Sequence, residues 1–300
     1  MDLKNLISKK IFGEVEENVA LAPYTTFKVG GPADLFVCPK NLVELLDVIT
    51  LCKEADTPYF LLGAGSNLLV SDKGVRGVVI KLGDGFDYAH AKGNTILAGA
   101  GVSLAKLSAE AKNASLTGLE FASGIPGTLG GAIYMNAGAY GGEMKDVVDE
   151  VSFIDDDGTV KTITGNECDF GYRKSIFSGG NKIIISVKMT LESEDKEKIA
   201  ETMRELNARR KEKQPLEYAS AGSTFKRPEG YFAGALIEEA GLKGTSVNDA
   251  EVSEKHAGFV INKGNATAKD LKDLISLVQE KVFEKSGVKL ETEVKFIGEE

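Results

Sequence analysis

Residues 119–143 read LEFASGIPGTLGGAIYMNAGAYGGE, and seven glycines fall among them: Gly124, Gly127, Gly130, Gly131, Gly138, Gly141 and Gly142. No charged side chain lies between Glu120 and Glu143. Glycine loses more backbone freedom on folding than any other residue, so a stretch this rich in it needs a compensating interaction. Close approach of the backbone to a ligand is one, because no Cβ stands in the way. Backbone N–H groups in such a loop cradle a phosphate without any basic side chain. Pro126 stiffens the loop by fixing one φ. A buried turn of small residues is the structural alternative.

A second glycine loop, Gly63-Ala64-Gly65-Ser66-Asn67, follows the apolar run 59–62. A dinucleotide fingerprint would place its third glycine at position 68, which is leucine, and would continue into a helix. The residues that follow, VSDKGVRGVVIKL, read as a turn-rich strand instead. The loop therefore lacks the doubly wound context, although Ser66 and Asn67 add side-chain donors suited to a pyrophosphate. A tight turn is the alternative reading.

Composition narrows the function classes. A net charge of −9 argues against nucleic-acid and anionic-membrane binding, and requires any anionic ligand to be met by a local basic patch. Three widely spaced cysteines, Cys38, Cys52 and Cys168, suggest a reducing compartment, with no disulfide framework and no metal site. Charges run through the first eighteen residues, and no apolar run reaches membrane-spanning length. The expectation is a soluble cytoplasmic protein.

Hydrophobic spacing predicts a polar lead-in helix and linker over 1–22, a strand over 33–37, a helix over 41–56 capped by Asn41, and a strand over 59–62. Further on it predicts a strand over 95–99 and a helix from Ser103 to near Gly118. A hairpin follows around Asp155-Asp156-Asp157-Gly158, then a strand over 182–191. The charged run 193–213 reads as a solvated helix bridging two domains. Beyond it come a short helix over 231–240, a strand over 258–262, a long helix from Thr267 to Gly287, and a final strand over 288–297. Strands and helices in irregular order indicate α+β domains. Three regions are expected: 1–80, 81–193 and 200–300.

Several side chains carry chemistry or a bland alternative. Ser223, in SAGSTFKRPEG, is a turn residue or a hydroxyl proton donor. With His90 and His256 the chain's only histidines and no GxSxG elbow, a Ser–His triad is poorly supported. Arg173, in GYRKS, is a surface cation or a fork of donors for a carboxylate or enolate. Glu291 and Glu293 share a strand face by alternation, and local sequence does not choose between them. Arg209, Arg210, Lys211 and Lys213 are a solvated helix face or a nucleotide-diphosphate patch.

Seven motifs, in order, carry a resemblance: TTFKVGGPADLFV, LGAGSNLLVSDKGVRGVVIKL, SGIPGTLGGAIYMNAGAYGGE, FGYRKSIF, GSTFKRP, KHAGFVIN and LETEVKFIG. From about Pro23 to Gly298 the chain resembles the UDP-N-acetylenolpyruvoylglucosamine reductase family, in its shorter subtype. The resemblance implies a two-part FAD-binding region of the vanillyl-alcohol-oxidase/PCMH type and a C-terminal α+β substrate-binding domain, with the last strand returning to the FAD region. It implies noncovalent FAD, reduced by NADPH, and reduction of UDP-N-acetylglucosamine enolpyruvate to UDP-N-acetylmuramate in peptidoglycan precursor synthesis. A cytoplasmic monomer is expected.

Site roles carry over residue by residue. Ser223 would protonate the substrate, while Arg173 and Glu293 would stabilise the enol or enolate. Gly63, Ala64, Gly65, Ser66 and Asn67, with Gly124, Ile125, Pro126, Gly127, Thr128 and Gly131, would hold FAD. Lys213, Arg227 and His256 would contact the substrate. Arg227 stands where some members carry asparagine, His256 where some carry glutamine, and Lys295 where arginine is common. Two rivals remain: another flavoprotein of the same FAD-domain type, such as an oxidase of small alcohols, and a nucleotide-sugar-binding module without catalysis.

Overall fold

The computed structural model describes residues 2–299. The chain forms two compact units. One comprises the N-terminal residues to Glu16, Leu35–Ala64 and Gly77–Arg210; the other comprises Glu17–Asp34, Gly65–Arg76 and the stretch from Lys211 onward.

In the first unit, helix Leu42–Glu54 forms as its spacing predicts, with the Asn41 side chain accepting from the Glu44 N–H. It connects strands Pro32–Cys38 and Tyr59–Leu62, but strand Val75–Lys81 lies between them in the sheet and pairs in parallel with Tyr59–Leu62. Residues 1–22, expected as helix and linker, hold helix Leu3–Ile7 and strand Glu14–Ala20. That strand lies at the sheet's edge with its side chains mostly exposed, so its sequence shows no apolar alternation.

A second sheet is antiparallel, in the order Val160–Thr164, Val148–Ile154, Ile183–Thr190, Thr95–Gly99, Ala89–Lys92. Its hairpin turns at 155–158, as the Asp-Gly signal requires. Helix Leu104–Asn113, capped by Ser103, is shorter than expected. The chain leaves it to pair Leu116–Thr117 with Glu192–Ser193. The glycine-rich stretch carries a six-residue helix, Leu129–Tyr134. Leu104, Leu107, Leu129, Ile133, Phe153 and Phe177 are among the side chains of this sheet's core.

The second unit packs helices Ala233–Glu239 and Ala268–Ser286 with a three-stranded sheet, Ser246–Val247, Ala250–Val252 and Val260–Asn262. Thr267 and Asp270 form a capping box, Gly287 closes the long helix in the left-handed region, and Leu271, Leu274, Ile275, Val278 and Val282 are all buried. Asp72 accepts from the Ala268 and Lys269 N–H groups at 2.8 and 2.9 Å. The final strand is only Lys295–Ile297, parallel to Leu68–Val70. Residues 291–293 bond instead to 224–226 through a single bridge, too short to make a ladder.

The folds of the two units agree with an α+β architecture. No helix among the described residues is long and apolar enough to cross a membrane. The three cysteines are free, and burial pushes each thiol up to about 11.

Candidate active site

Within the first unit, Gly63 lies close to the second expected cofactor loop: a Cβ at Gly63 would lie 2.8 Å from Thr128 Oγ1. Thr128 precedes helix Leu129–Tyr134. The Leu129 and Gly130 N–H groups donate to Val102 and Ala100, and that of Ile125 to Ala122. These three amides are thus committed to the fold. No backbone hydrogen bond engages the amides of Gly127 or Thr128 among the described residues.

The helix Lys196–Lys213 borders this loop. Asn207 donates to Ser123 Oγ at 3.2 Å, and a Cβ at Gly124 would lie 2.3 Å from Asn207 Oδ1 and 3.3 Å from Arg210 Cδ. Arg210 Nε is buried and has no hydrogen-bond partner among the described residues. Burial pushes its guanidinium down from the ordinary value. It is a partly desolvated cation with an orphaned N–H beside a glycine loop. At Gly131 a Cβ would meet nothing nearer than Thr128 Oγ1 at 3.6 Å, so the fold itself does not demand glycine there. Both features fit an anionic dinucleotide such as FAD. The sequence had Arg210 only as one member of a basic cluster, because periodicity does not say which of its four cations turns inward.

Arg173 is also in this unit. It sits at φ +54° in a turn where Gly171 and Lys174 exchange backbone hydrogen bonds of 2.9 and 3.3 Å. Its Nη2 donates to the Gly138 carbonyl at 3.3 Å, and its guanidinium lies 5.4 Å from the Tyr172 ring centroid.

Within the second unit, Gly65 is required by the fold: φ is +61°, and a Cβ would lie 2.1 Å from the Tyr24 carbonyl oxygen. The Asn67 side chain donates to the Glu293 carbonyl at 3.1 Å. The Glu293 N–H donates to the Thr224 carbonyl at 2.9 Å, which pairs the Glu293 backbone with the residue that follows Ser223. Thr224 is fully buried, donates its N–H to Gly258, and accepts from Val260 at its hydroxyl. The same few residues therefore hold Ser223, Glu293 and the 256–260 segment together.

Glu291 is separated from Glu293 by its partner: it is exposed and ion-paired to Lys226 at 3.0 Å. His256 Nδ1 accepts from the Gly258 N–H at 3.1 Å, which places the neutral ring's proton on Nε2, and burial lowers its pKa. Its ring presents a neutral donor at pH 7. Arg227 lies 3.9 Å over the Phe232 ring and donates to the Tyr231 carbonyl. Lys213 is exposed at the end of its helix.

Two family models match successive parts of the chain. An FAD binding domain model matches residues 33–164, and a model described as UDP-N-acetylenolpyruvoylglucosamine reductase, C-terminal domain, matches 214–297. A UDP-N-acetylenolpyruvoylglucosamine reductase of Alkaliphilus oremlandii is 53% identical over 92% of this chain and 91% of its own. One of Clostridium novyi is 49% identical over 99% and 96%. The crystal structure of UDP-N-acetylenolpyruvylglucosamine reductase from Thermus caldophilus matches with a TM-score of 0.83 at 41% identity, covering 95% of this chain and 99% of that one.

Proposed function

The chain belongs to the UDP-N-acetylenolpyruvoylglucosamine reductase family of FAD-containing oxidoreductases, and from that premise we propose that it reduces UDP-N-acetylglucosamine enolpyruvate to UDP-N-acetylmuramate with NADPH as reductant. The observation that supports the reading is the Glu293 N–H to Thr224 carbonyl bond, which joins the backbone at Glu293 to the residue that follows Ser223.

FAD, held noncovalently by the two glycine loops, would supply hydride to the enolpyruvyl group. The chain's residues manage charge and one proton. Ser223 holds the proton that the substrate carbon takes up. A hydroxyl is a weak acid, so this role suits only a centre that is already strongly basic. Arg173 and Glu293 stabilise the enol or enolate, and preorganised groups of this kind contribute several kcal/mol, about 2.7–4 for one donor. Gly63, Ala64, Gly65, Ser66 and Asn67, with Gly124, Ile125, Pro126, Gly127, Thr128 and Gly131, hold FAD. Arg210 supports that assignment as a cation beside Gly124. Lys213, Arg227 and His256 bind the nucleotide sugar.

On this reading 1–80 and 81–193 are the FAD-binding subdomains and 200–300 is the substrate-binding domain. The enzyme works as a cytoplasmic monomer, without nucleic acid or membrane. The order of the two family models supports the domain assignment.

Purified protein is expected to be yellow, with all colour released to the supernatant by acid precipitation. Anaerobic reduced enzyme should be reoxidised by the enolpyruvyl substrate much faster than by oxygen. Faster reoxidation by oxygen makes it an oxidase, and colourless protein removes the flavin reading.

A further inference from the structure

We propose that Asn136 is a positioning residue for this reaction, holding through the Gly171 carbonyl the turn that presents Arg173. The inference rests on the assignment of Arg173 to enolate stabilisation.

Asn136 is 0% exposed, and its amide is fully engaged. Nδ2 donates to Glu143 Oε2 at 2.9 Å and to the Gly171 carbonyl at 3.1 Å, while Oδ1 accepts from the Lys145 N–H at 3.0 Å. A buried amide with both donors and its acceptor used is fixed in orientation. Its own φ of +44° suits asparagine, aspartate or glycine and few other residues.

The turn it grips needs such support. Arg173 occupies the left-handed region, which a residue with a Cβ keeps only when its surroundings over-determine it. Asn136 holds one foot of the turn. On the other, the hydroxyls of Ser175 and Ser178 both donate to the Tyr134 carbonyl at 2.7 Å. The guanidinium itself donates to Gly138, two residues beyond Asn136. Glu143, which the amide orients, is paired with Lys145 at 2.8 Å. Hydrogen bonds from Lys145 and Asn136 and the Arg173 charge hold that carboxyl below its usual range. The second half of the glycine-rich stretch is thus the socket of the arginine turn, in addition to any part the first half has in holding FAD.

The test uses holoenzyme reduced with dithionite and mixed anaerobically with UDP-N-acetylglucosamine enolpyruvate in a stopped-flow instrument. Asn136→Gly keeps the left-handed backbone and removes the amide. Its reoxidation by substrate is expected to slow roughly 10- to 100-fold, the range for a displaced positioning group. Flavin content and reoxidation by oxygen should stay at wild-type values. Added to Arg173→Ala, it should cause no further slowing. Equal slowing with both oxidants, or full additivity with Arg173→Ala, overturns the inference. If Arg173→Ala alone reoxidises at the wild-type rate, the assignment of Arg173 is what fails.

Asn136→Asp tests the same bond without a cavity. Its carboxylate cannot donate to Gly171, whereas its protonated form can. Glu143, Lys145 and Arg173 are the charged groups around it. Its rate relative to wild type should recover as pH falls into the carboxyl range, and a ratio flat in pH overturns the inference.

Discussion

The turn that carries Arg173 and the segment that carries Ser223 are held by different kinds of bond. Side chains hold the turn: Asn136, Ser175 and Ser178 reach across to it, and Arg173 sits in strained backbone. Backbone groups make most of the bonds that hold the Ser223 segment: the N–H groups of Thr224, Lys226 and Glu293 bond to the carbonyls of Gly258, Glu291 and Thr224, and the Thr224 hydroxyl and the Asn67 side chain add two more. A side-chain-held group is open to loss through any of several single substitutions. A backbone-held group tolerates changes of its own side chain without moving its neighbours.

Ser223→Ala is the largest test of that contrast. Because Ser223 is exposed and its segment is held by amides, the thermal midpoint should stay at the wild-type value. Reoxidation of reduced enzyme by the enolpyruvyl substrate should fall by at least ~10²-fold, the lower range for a positioned acid, while flavin reduction by NADPH is unchanged. Wild-type reoxidation would make the serine a turn residue only.

A second contrast separates two glycines. Gly65→Ala forces a Cβ toward the Tyr24 carbonyl in left-handed backbone, and the backbone term alone costs about 1–2 kcal/mol. Its unfolding midpoint in urea should drop with or without FAD. Gly131→Ala, in a helix where a Cβ would make only an ordinary contact with Thr128 Oγ1, should stabilise the apoprotein by about 0.5–1 kcal/mol and yet weaken FAD binding. Unchanged FAD affinity in Gly131→Ala breaks the assignment of that space to the cofactor.

The smallest effect belongs to the capping box. Thr267→Ala should cost about 1 kcal/mol at pH 7. The Thr267 backbone N–H, and then the Asn248 side chain, hold the Asp270 carboxyl below its usual range. A depressed folded pKa adds stability above the unfolded value that is lost as pH falls through the folded one. The difference in thermal midpoint between wild type and Asp270→Asn should therefore be present at pH 7 and shrink below about pH 3.8, the ordinary aspartate value. A difference that holds constant with pH removes the carboxylate from the cap's account.

Local chemistry decided much of this protein before any tertiary contact formed. The Thr267–Asp270 box, the apolar face of its helix, the Gly287 stop, the Asn41 and Ser103 caps and the Asp-Gly hairpin depend on residues a few positions apart, so each was legible in sequence. The same holds for rejecting a dinucleotide helix after Gly65, where the chain turns into strands. The motif order also identified the family. What sequence did not decide were choices between equivalent neighbours: Glu293 or Glu291, Arg210 or Arg209, and the asparagine within an uncharged run. Tertiary neighbours tell these apart: Asn136 bonds Gly171 across 35 residues, Asn67 bonds the Glu293 carbonyl across 226, and Arg210 is buried beside Gly124. The edge strand Glu14–Ala20 and the shortened last strand belong with these, since pairing there depends on which backbone lies alongside. Periodicity reports which face a residue shares, and only the assembled fold supplies the partner on that face.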